Sequence, residues 1–432
     1  MLRKILLVLA ILNILGCAKR YSTPFSPRPL EEVKFLDRAQ TKSSNGITVT
    51  TAVLSPKESR EVFAVDLESE GIQPVWVNVE NKTNKSFLLL PISLDPEYFS
   101  PGEVAFLFRS GFSKSEAKML DKHLRAKGLS IELVPAQGAV SGFVFTNIDP
   151  GVKYVRILLT HLTDAETEDF SFYFEVPGVQ PDYKPVDHKS LYSEKEMINY
   201  QDEQELRHAL GRLPCCTTNR KGTRNRYPIN FIFIGERDDV FAALLRRGWD
   251  IAESLSETSN IDKEALIATG RYRTLPMSNY YFYGRRHDYG FQKSRLVKGG
   301  SLRQGVQIRL WLSPMRFNGK DLWLGSINNL LGSNLKGKEL TSSEIVDPDV
   351  DEAREFLLED MVLSEGVSKI GSFIGIEPAS IDNPHMDVLD QPWWTDGFRV
   401  VFLFEHEPHS LEDIDFFTWG EEESVRAEKS YN

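Results

Sequence analysis

The segment that decides the fold of the C-terminal half is PINFIFIG, residues 228–235. A short apolar run bounded by a proline and a glycine is typical of a buried strand. A helical pattern follows, with Asp238 and Asp239 in its first turn, Arg246 in its last turn and Gly248 as its stop. This charge order suits the helix dipole. A buried strand followed by such a helix predicts an α+β domain.

Four more strands and one more helix extend this pattern. The strands are expected near residues 280–291, 306–312, 322–326 and 397–405, and the helix near residues 349–361. We therefore predict an α+β domain over residues 214–418, with a mixed sheet and helices on one face. A polar connector at 181–213 precedes it, and a disordered tail at 419–432 follows it.

The N-terminal half is mostly β in pattern. Val75, Val77 and Val79 alternate with polar or aromatic residues, which places the valines on one face of a strand. One helix interrupts the strands: Ser113 and Glu116 form a capping-box pattern at its start. We predict an immunoglobulin-like β-sandwich with a helical insertion over residues 46–180.

The N-terminus has the pattern of a lipoprotein signal peptide. A basic start precedes an apolar run at residues 5–15, which is shorter than the ~20 residues that a spanning helix needs. The run ends in ILGC, residues 14–17, which resembles a lipobox. We expect cleavage after residue 16 and a lipid on Cys17. The alternatives are a cleaved signal with an incidental cysteine and an uncleaved anchor.

The residue after Cys17 bears on the membrane address. Ala18 rather than aspartate favours the outer membrane, on its periplasmic face or at the surface. A proline-containing tether at 17–45 would then give the globular part reach from the membrane.

Composition limits the partners and the cysteine chemistry. A net charge of −11 argues against nucleic acid as a partner. Apart from Cys17, the cysteines are Cys215 and Cys216, which are adjacent. A bridge between neighbours closes a strained eight-membered ring, so we expect two unpaired thiols.

Several segments in the C-terminal half resemble the LssY-like C-terminal domain family over roughly residues 228–400. They are residues 228–235, 247–249, 272–278, 284–293, 308–311, 322–325, 347–357 and 395–397. The resemblance implies a domain often fused to membrane segments or to a lipid-phosphatase-like module, with no established activity of its own. Family members often carry histidines where this chain has Val306-Gln307 and Ser342-Ser343-Glu344. Any metal-binding or proton-shuttling role of those histidines is therefore expected to be lost here.

One strand carries the most chemistry. Residues 306, 308, 310 and 312 are apolar, so Gln307, Arg309 and Trp311 share the other face. With arginines from a neighbouring strand they could bind a phosphate or carboxylate. The alternative is that the arginines form salt bridges with Asp288, Asp321 or Asp396. The candidate catalytic residues are Arg285, Arg286, His287, Asp288 and Arg309, and the candidate ligand-binding residues are Gln292, Lys293, Gln307, Trp311, Trp323 and Asp396.

The histidines give weaker indications. His287 and Asp288 are adjacent, so on a strand they would point to opposite faces and not form an acid/base pair. His406 and His409 lack a second group of ligands at metal-site spacing, and Trp393-Trp394 is more typical of a core than of a ligand platform. We expect no metal and no cofactor.

These patterns favour a non-enzymatic lipoprotein of the cell envelope. It would be held to the membrane by its lipid and would bind or scaffold an envelope component or protein partner. The alternative is an enzyme acting on phosphate or lipid-headgroup substrates, whose ligand would be a small anion.

Overall fold

The computed structural model describes residues 24–149, 152–161, 163, 167–175, 190–252, 277–297, 301–334 and 343–419. Cys17, the predicted signal peptide, residues 272–276 of the family resemblance and the predicted tail from residue 420 lie outside them. The described parts are mixed α+β and divide into two compact units, one up to Pro181 and one from Asp182 onward. None of their helices has the length and apolar character needed to cross a membrane.

The N-terminal unit contains two four-stranded antiparallel sheets, of order β1-β2-β3-β6 and β5-β4-β7-β8. Its strands are β1 (Gln40–Ser44), β2 (Ile47–Val53), β3 (Ile72–Asn81), β4 (Phe87–Leu89), β5 (Glu132–Val134), β6 (Gly138–Asn147), β7 (Val152–His161) and β8 (Thr167–Glu175). Val75, Val77 and Val79 are buried, as their alternation predicts. They share one apolar core with Ile157 and Leu159 of the other sheet.

The described residues of this unit form three α-helices: α1 (Pro56–Phe63), α2 (Pro101–Phe108) and α3 (Lys114–Lys127). The predicted capping box of Ser113 and Glu116 opens α3. The other two helices were missed, although Ser55 and Ser100 each form the same box with a glutamate three residues on and a proline between.

The residues assigned to a tether are packed on this unit. The side chain of Phe35 is fully buried, and its ring lies 5.9 Å from those of Trp76 and Phe143. Strand β1 pairs with β2 from Gln40 opposite Thr51. The expectation of a free linker to residue 45 is wrong from residue 25 onward, because burial of Phe25 and Phe35 fixes the chain.

The C-terminal unit is built on a ten-stranded mixed sheet, with further short strands beside it. Its strands are β9 (Ile198–Tyr200), β10 (Cys216–Thr218), β11 (Asn225–Pro228), β12 (Phe231–Ile234), β13 (Asp250–Ala252), β14 (Tyr281–Phe282), β15 (Arg285–Arg286), β16 (Tyr289–Val297), β17 (Ser301–Phe317), β18 (Lys320–Asn334), β19 (Ser343–Val346), β20 (Val367–Ile374), β21 (His385–Met386), β22 (Pro392–Trp393), β23 (Phe398–Phe404) and β24 (Asp415–Phe416). The main path runs β13-β16-β17-β18-β12-β23-β20-β24. The predicted buried strand is therefore central: β12 pairs antiparallel with β18 and parallel with β23.

Helices cover both faces of this sheet, which corrects the expectation of one covered face. They are α4 (Glu203–Gly211), α5 (Arg237–Arg246) and α6 (Val350–Val362). Phe241 of α5 packs against Phe291 and Trp323 on one face. Leu206 and Leu210 of α4 join the apolar cluster of the opposite face. Burying both faces of a sheet requires layers on both sides.

Two other expectations change in this unit. The described part of the predicted connector belongs to it, since β9 pairs with β17 and α4 joins the core. Cys215 and Cys216 form a disulfide rather than two free thiols. Cys215 precedes the first residue of β10, so the alternation of a strand does not separate the two side chains.

Candidate functional site

Polar side chains occupy one buried patch of the C-terminal sheet. The register places Gln292 of β16, Gln307 of β17 and Asn328 of β18 side by side, and Arg309 opposite Ser326 in the next row. All five are at most 2% exposed. We call these five residues the polar layer. Farther along the same face, Trp311 and Leu324 belong to the apolar core.

Arg309 and Glu344 form a buried ion pair at this layer. Nη2 of Arg309 lies 3.1 Å from both carboxylate oxygens of Glu344 and 3.1 Å from Oε1 of Gln307. Its guanidinium carbon lies 3.8 Å from the centre of the Tyr280 ring. Burial alone would raise the pKa of Glu344, but Arg309 and two hydrogen bonds from Ser278 outweigh it, so that pKa is lowered. Glu344 is therefore an anion that holds Arg309 in place.

The polar layer contains several hydrogen-bonding atoms without a partner among the described residues. They are Nη1 of Arg309, Nε2 of Gln307, Oγ of Ser326, and both amide atoms, Oδ1 and Nδ2, of Asn328. Each buried polar group left unmatched costs about 1–3 kcal/mol, and native proteins keep such groups few. Their concentration on two neighbouring strands, β17 and β18, indicates a site that some other molecule completes.

His287 lies beside the layer and is uncharged at neutral pH. Its side chain is buried, and burial, with Arg309 and Arg286 nearby, lowers its pKa to about 3. Its Nδ1 has no partner in the described parts of the chain. His287 can therefore offer a neutral imidazole nitrogen, and it is a poor proton shuttle near pH 7.

Arg285 and Asp288 pair with each other, which is the salt-bridge alternative for this arginine. Arg285 also donates to Oη of Tyr192, at 3.1 Å, and to the carbonyl of Leu312. Asp288 accepts a hydrogen bond of 2.7 Å from the backbone N–H of Leu312. Burial raises the pKa of Asp288 although Arg285 opposes this. His287 and Asp288 thus have separate surroundings.

The remaining predicted site residues lie outside the polar layer. Lys293 binds both carboxylate oxygens of Asp360 at 3.0 Å, and Asp396 is paired with Arg354. Trp323 is buried on the opposite face, with Nε1 donating to the carbonyl of Gly235, and Arg286 is exposed. Trp311 is a core residue. These contacts stabilise the fold and leave Gln292, Gln307 and Arg309 as the predicted residues that meet.

Sequence reasoning missed Ser326, Asn328, Tyr280 and Glu344. Ser326 continues the alternation of Leu322 and Leu324 within the predicted strand 322–326, and a strand longer by two residues would have placed Asn328 on the same face. The two places where the resemblance implied histidines in relatives, Gln307 and Glu344, both contact Arg309.

Metal ligation has no support in the described parts of the chain, where no group of three or more His, Cys, Asp or Glu side chains could hold an ion. His406 instead bonds to Asp239, and His385 to the carbonyl of Glu377.

Comparison with known families confirms the resemblance. Residues 207–397 match the model of the family described as LssY C-terminus. This part of the chain is an LssY-like C-terminal domain, and it contains the polar layer. The comparison with curated proteins gives no match.

Proposed function

We propose that this chain is a lipid-anchored protein of a bacterial cell envelope, and that its LssY-like domain binds a small envelope component at the polar layer. The observation that carries the binding role is the set of unmatched donors and acceptors on Arg309, Gln307, Ser326 and Asn328. A ligand that pairs with them would recover free energy that the unliganded fold gives up.

The charges at the site favour binding over a reaction on phosphate. Arg309 is neutralised by Glu344, and Arg285 by Asp288. Stabilising the charge of a phosphoryl group in reaction requires cations aimed at it. His287, with a pKa of about 3, supplies no proton near neutral pH. These features weigh against the enzyme alternative.

The sequence supports the anchor. A basic start, an apolar run and ILGC at residues 14–17 are what a lipoprotein signal peptide requires, and Ala18 favours the outer membrane. A thioether-linked lipid with further acylation would give stable membrane attachment. The polar ligand would then come from the compartment that faces that membrane.

We also propose that the N-terminal unit is an immunoglobulin-like sandwich. If β2 to β8 are lettered A to G, the sheets read A-B-E and D-C-F-G. The constant-type order, A-B-E-D and C-F-G, differs only in the sheet that D joins. Strand β1 is then an addition at the edge beside A.

Metabolic labelling with radioactive palmitate tests the anchor. Label should enter the full chain and be lost in Cys17→Ser. The matched control, Cys216→Ser, should keep the label, because that cysteine pairs with Cys215. Label retained by Cys17→Ser would refute the anchor.

Recovery of a bound compound tests the binding role. The full chain is purified in detergent and denatured, and the released small molecules are identified by mass spectrometry. A compound should be released in stoichiometric amount by the parent and by Asn329→Leu, and it should be lost in Asn328→Leu. Asn329 lies next to Asn328 but outside the polar layer and is only half-buried. Equal release by both variants would refute binding at the layer.

A further inference from the structure

The donors and acceptors of the polar layer are mixed in kind. Arg309 Nη1 and Gln307 Nε2 are donors, while Asn328 offers a donor and an acceptor from one amide. The hydroxyl of Ser326 does both. A carboxylate, which only accepts, would leave the acceptors unmatched, and a phosphate group near neutral pH has few O–H donors to offer them. A hydroxyl group donates and accepts, so it can pair with each of these atoms.

Charges of both signs surround Tyr280. Burial raises the pKa of Tyr280, the guanidinium groups of Arg309 and Arg226 lower it, and the carboxylates of Glu344 and Asp387 raise it. Arg226 and Arg309 lie 4.4 Å and 3.8 Å from the centre of that ring. Since Arg309 already has a carboxylate at 3.1 Å, an anionic ligand would compete with Glu344 for it.

Burial of the unmatched atoms also favours an uncharged ligand. The unmatched atoms are shielded from solvent, and moving an ionised ligand into such a place costs far more than moving an uncharged one. The residues with unmatched atoms lie on two neighbouring strands and in two rows, about 5 Å by about 7 Å, which suits one sugar ring better than a chain of them.

We infer that the polar layer recognises a small uncharged polyhydroxy compound, of the size and chemistry of a single neutral sugar. This inference rests on the proposed binding role and names the class of its ligand. Recognition is by hydrogen bonding, with Asn328 and Gln307 as the specificity-determining side chains. Arg309 donates to the ligand from Nη1, while Glu344 neutralises the charge of the guanidinium group.

A binding panel with the full chain in detergent tests this. The neutral members are glucose, galactose, mannose, N-acetylglucosamine and glycerol, and the charged members are inorganic phosphate, glucose 6-phosphate and glucuronate. Saturable binding is measured by ligand-observed nuclear magnetic resonance and confirmed by isothermal titration calorimetry. At least one neutral sugar should bind, with Kd raised tenfold or more by Asn328→Leu and by Gln307→Leu. The control Asn329→Leu should bind as the parent does.

The outcomes separate the two proposals. Binding of charged members alone would overturn the uncharged class and leave the binding role standing. A neutral sugar whose Kd is unchanged in Asn328→Leu would place the ligand elsewhere and overturn the inference. If no member binds, the inference fails, and the released-compound experiment decides the binding role. If no member binds and no compound is released, water completes the layer, and both the binding role and the inference fail.

Discussion

Two buried asparagines, one in each unit, have opposite surroundings. Asn81, in β3 of the N-terminal unit, donates to the carbonyls of Lys85 and Pro135 and accepts from the N–H and hydroxyl of Thr83. Asn328, in β18 of the C-terminal unit, has no partner for either amide atom in the described residues. Both are at most 2% exposed. Asn81 therefore fixes a turn, whereas Asn328 is left unsatisfied.

The difference distinguishes a buried polar group that stabilises the fold from one that is available to a ligand. A satisfied buried amide costs little and specifies a local structure, because each of its bonds replaces one to water. An unsatisfied one destabilises the fold and is retained where a ligand or water uses it. The unmatched atoms of Gln307, Arg309, Ser326 and Asn328 are of the second kind.

Arg309→Met should have the largest effect on stability. It leaves the carboxylate of Glu344 buried without its cation, so we expect a loss of about 3–5 kcal/mol in the free energy of unfolding. Urea denaturation followed by tryptophan fluorescence measures this loss. The signal reports mainly on the C-terminal unit, because Trp76 is the only tryptophan before residue 182. The control Arg316→Met, which removes an exposed pair with Asp321, should cost less than about 1 kcal/mol. Equal losses would show that the buried ion pair contributes no more to stability than the exposed one.

Asn81→Leu should have the next largest effect on stability. Thr83, Lys85 and Pro135 would lose their partners inside the N-terminal unit, at a cost of about 2–3 kcal/mol. Urea denaturation followed by circular dichroism measures the loss. The exposed Asn84→Leu serves as the control. A neutral result for Asn81→Leu would remove the contrast between the two asparagines.

His287→Gln should change the pH dependence of stability. The pKa of His287 is about 3 in the folded chain, against the ordinary value of 6.5. The unfolded chain therefore takes up a proton that the folded chain does not, and stability falls as pH falls below 6.5. From pH 6.5 to 5 the parent should lose about 2 kcal/mol more than the variant. The exposed His208→Gln should follow the parent, and a parallel curve for His287→Gln would contradict the burial argument.

Asn328→Leu should have the smallest effect and the opposite sign. Replacing an unmatched amide by an apolar side chain of similar size removes a desolvation cost, so stability should rise by about 1 kcal/mol. The same urea experiment measures it without added ligand. A loss of similar size to that of Asn81→Leu would show that Asn328 has partners after all.

Local patterns predicted much of the fold. The alternation at Val75 to Val79, the capping box at Ser113 and the buried run before Gly235 all correspond to observed elements. The helices at Ser55 and Ser100 carry the same capping signal and could have been found. Packing of Phe25 and Phe35 could not, because a proline-containing segment looks like a linker until its apolar residues meet a surface.

For the candidate site, the sequence determined which side chains share a face. Strand alternation alone puts Gln307 with Arg309, because successive side chains point to opposite sides. The tertiary structure decided what they meet. Glu344 reaches Arg309 across 35 positions of the chain because β19 pairs with β18, and Asn328 and Ser326 join through the register of β17 with β18. Burial on both faces, with a helix layer on each, then makes their unmatched atoms costly. No local pattern encodes that cost, because it depends on how the rest of the fold excludes water from these atoms.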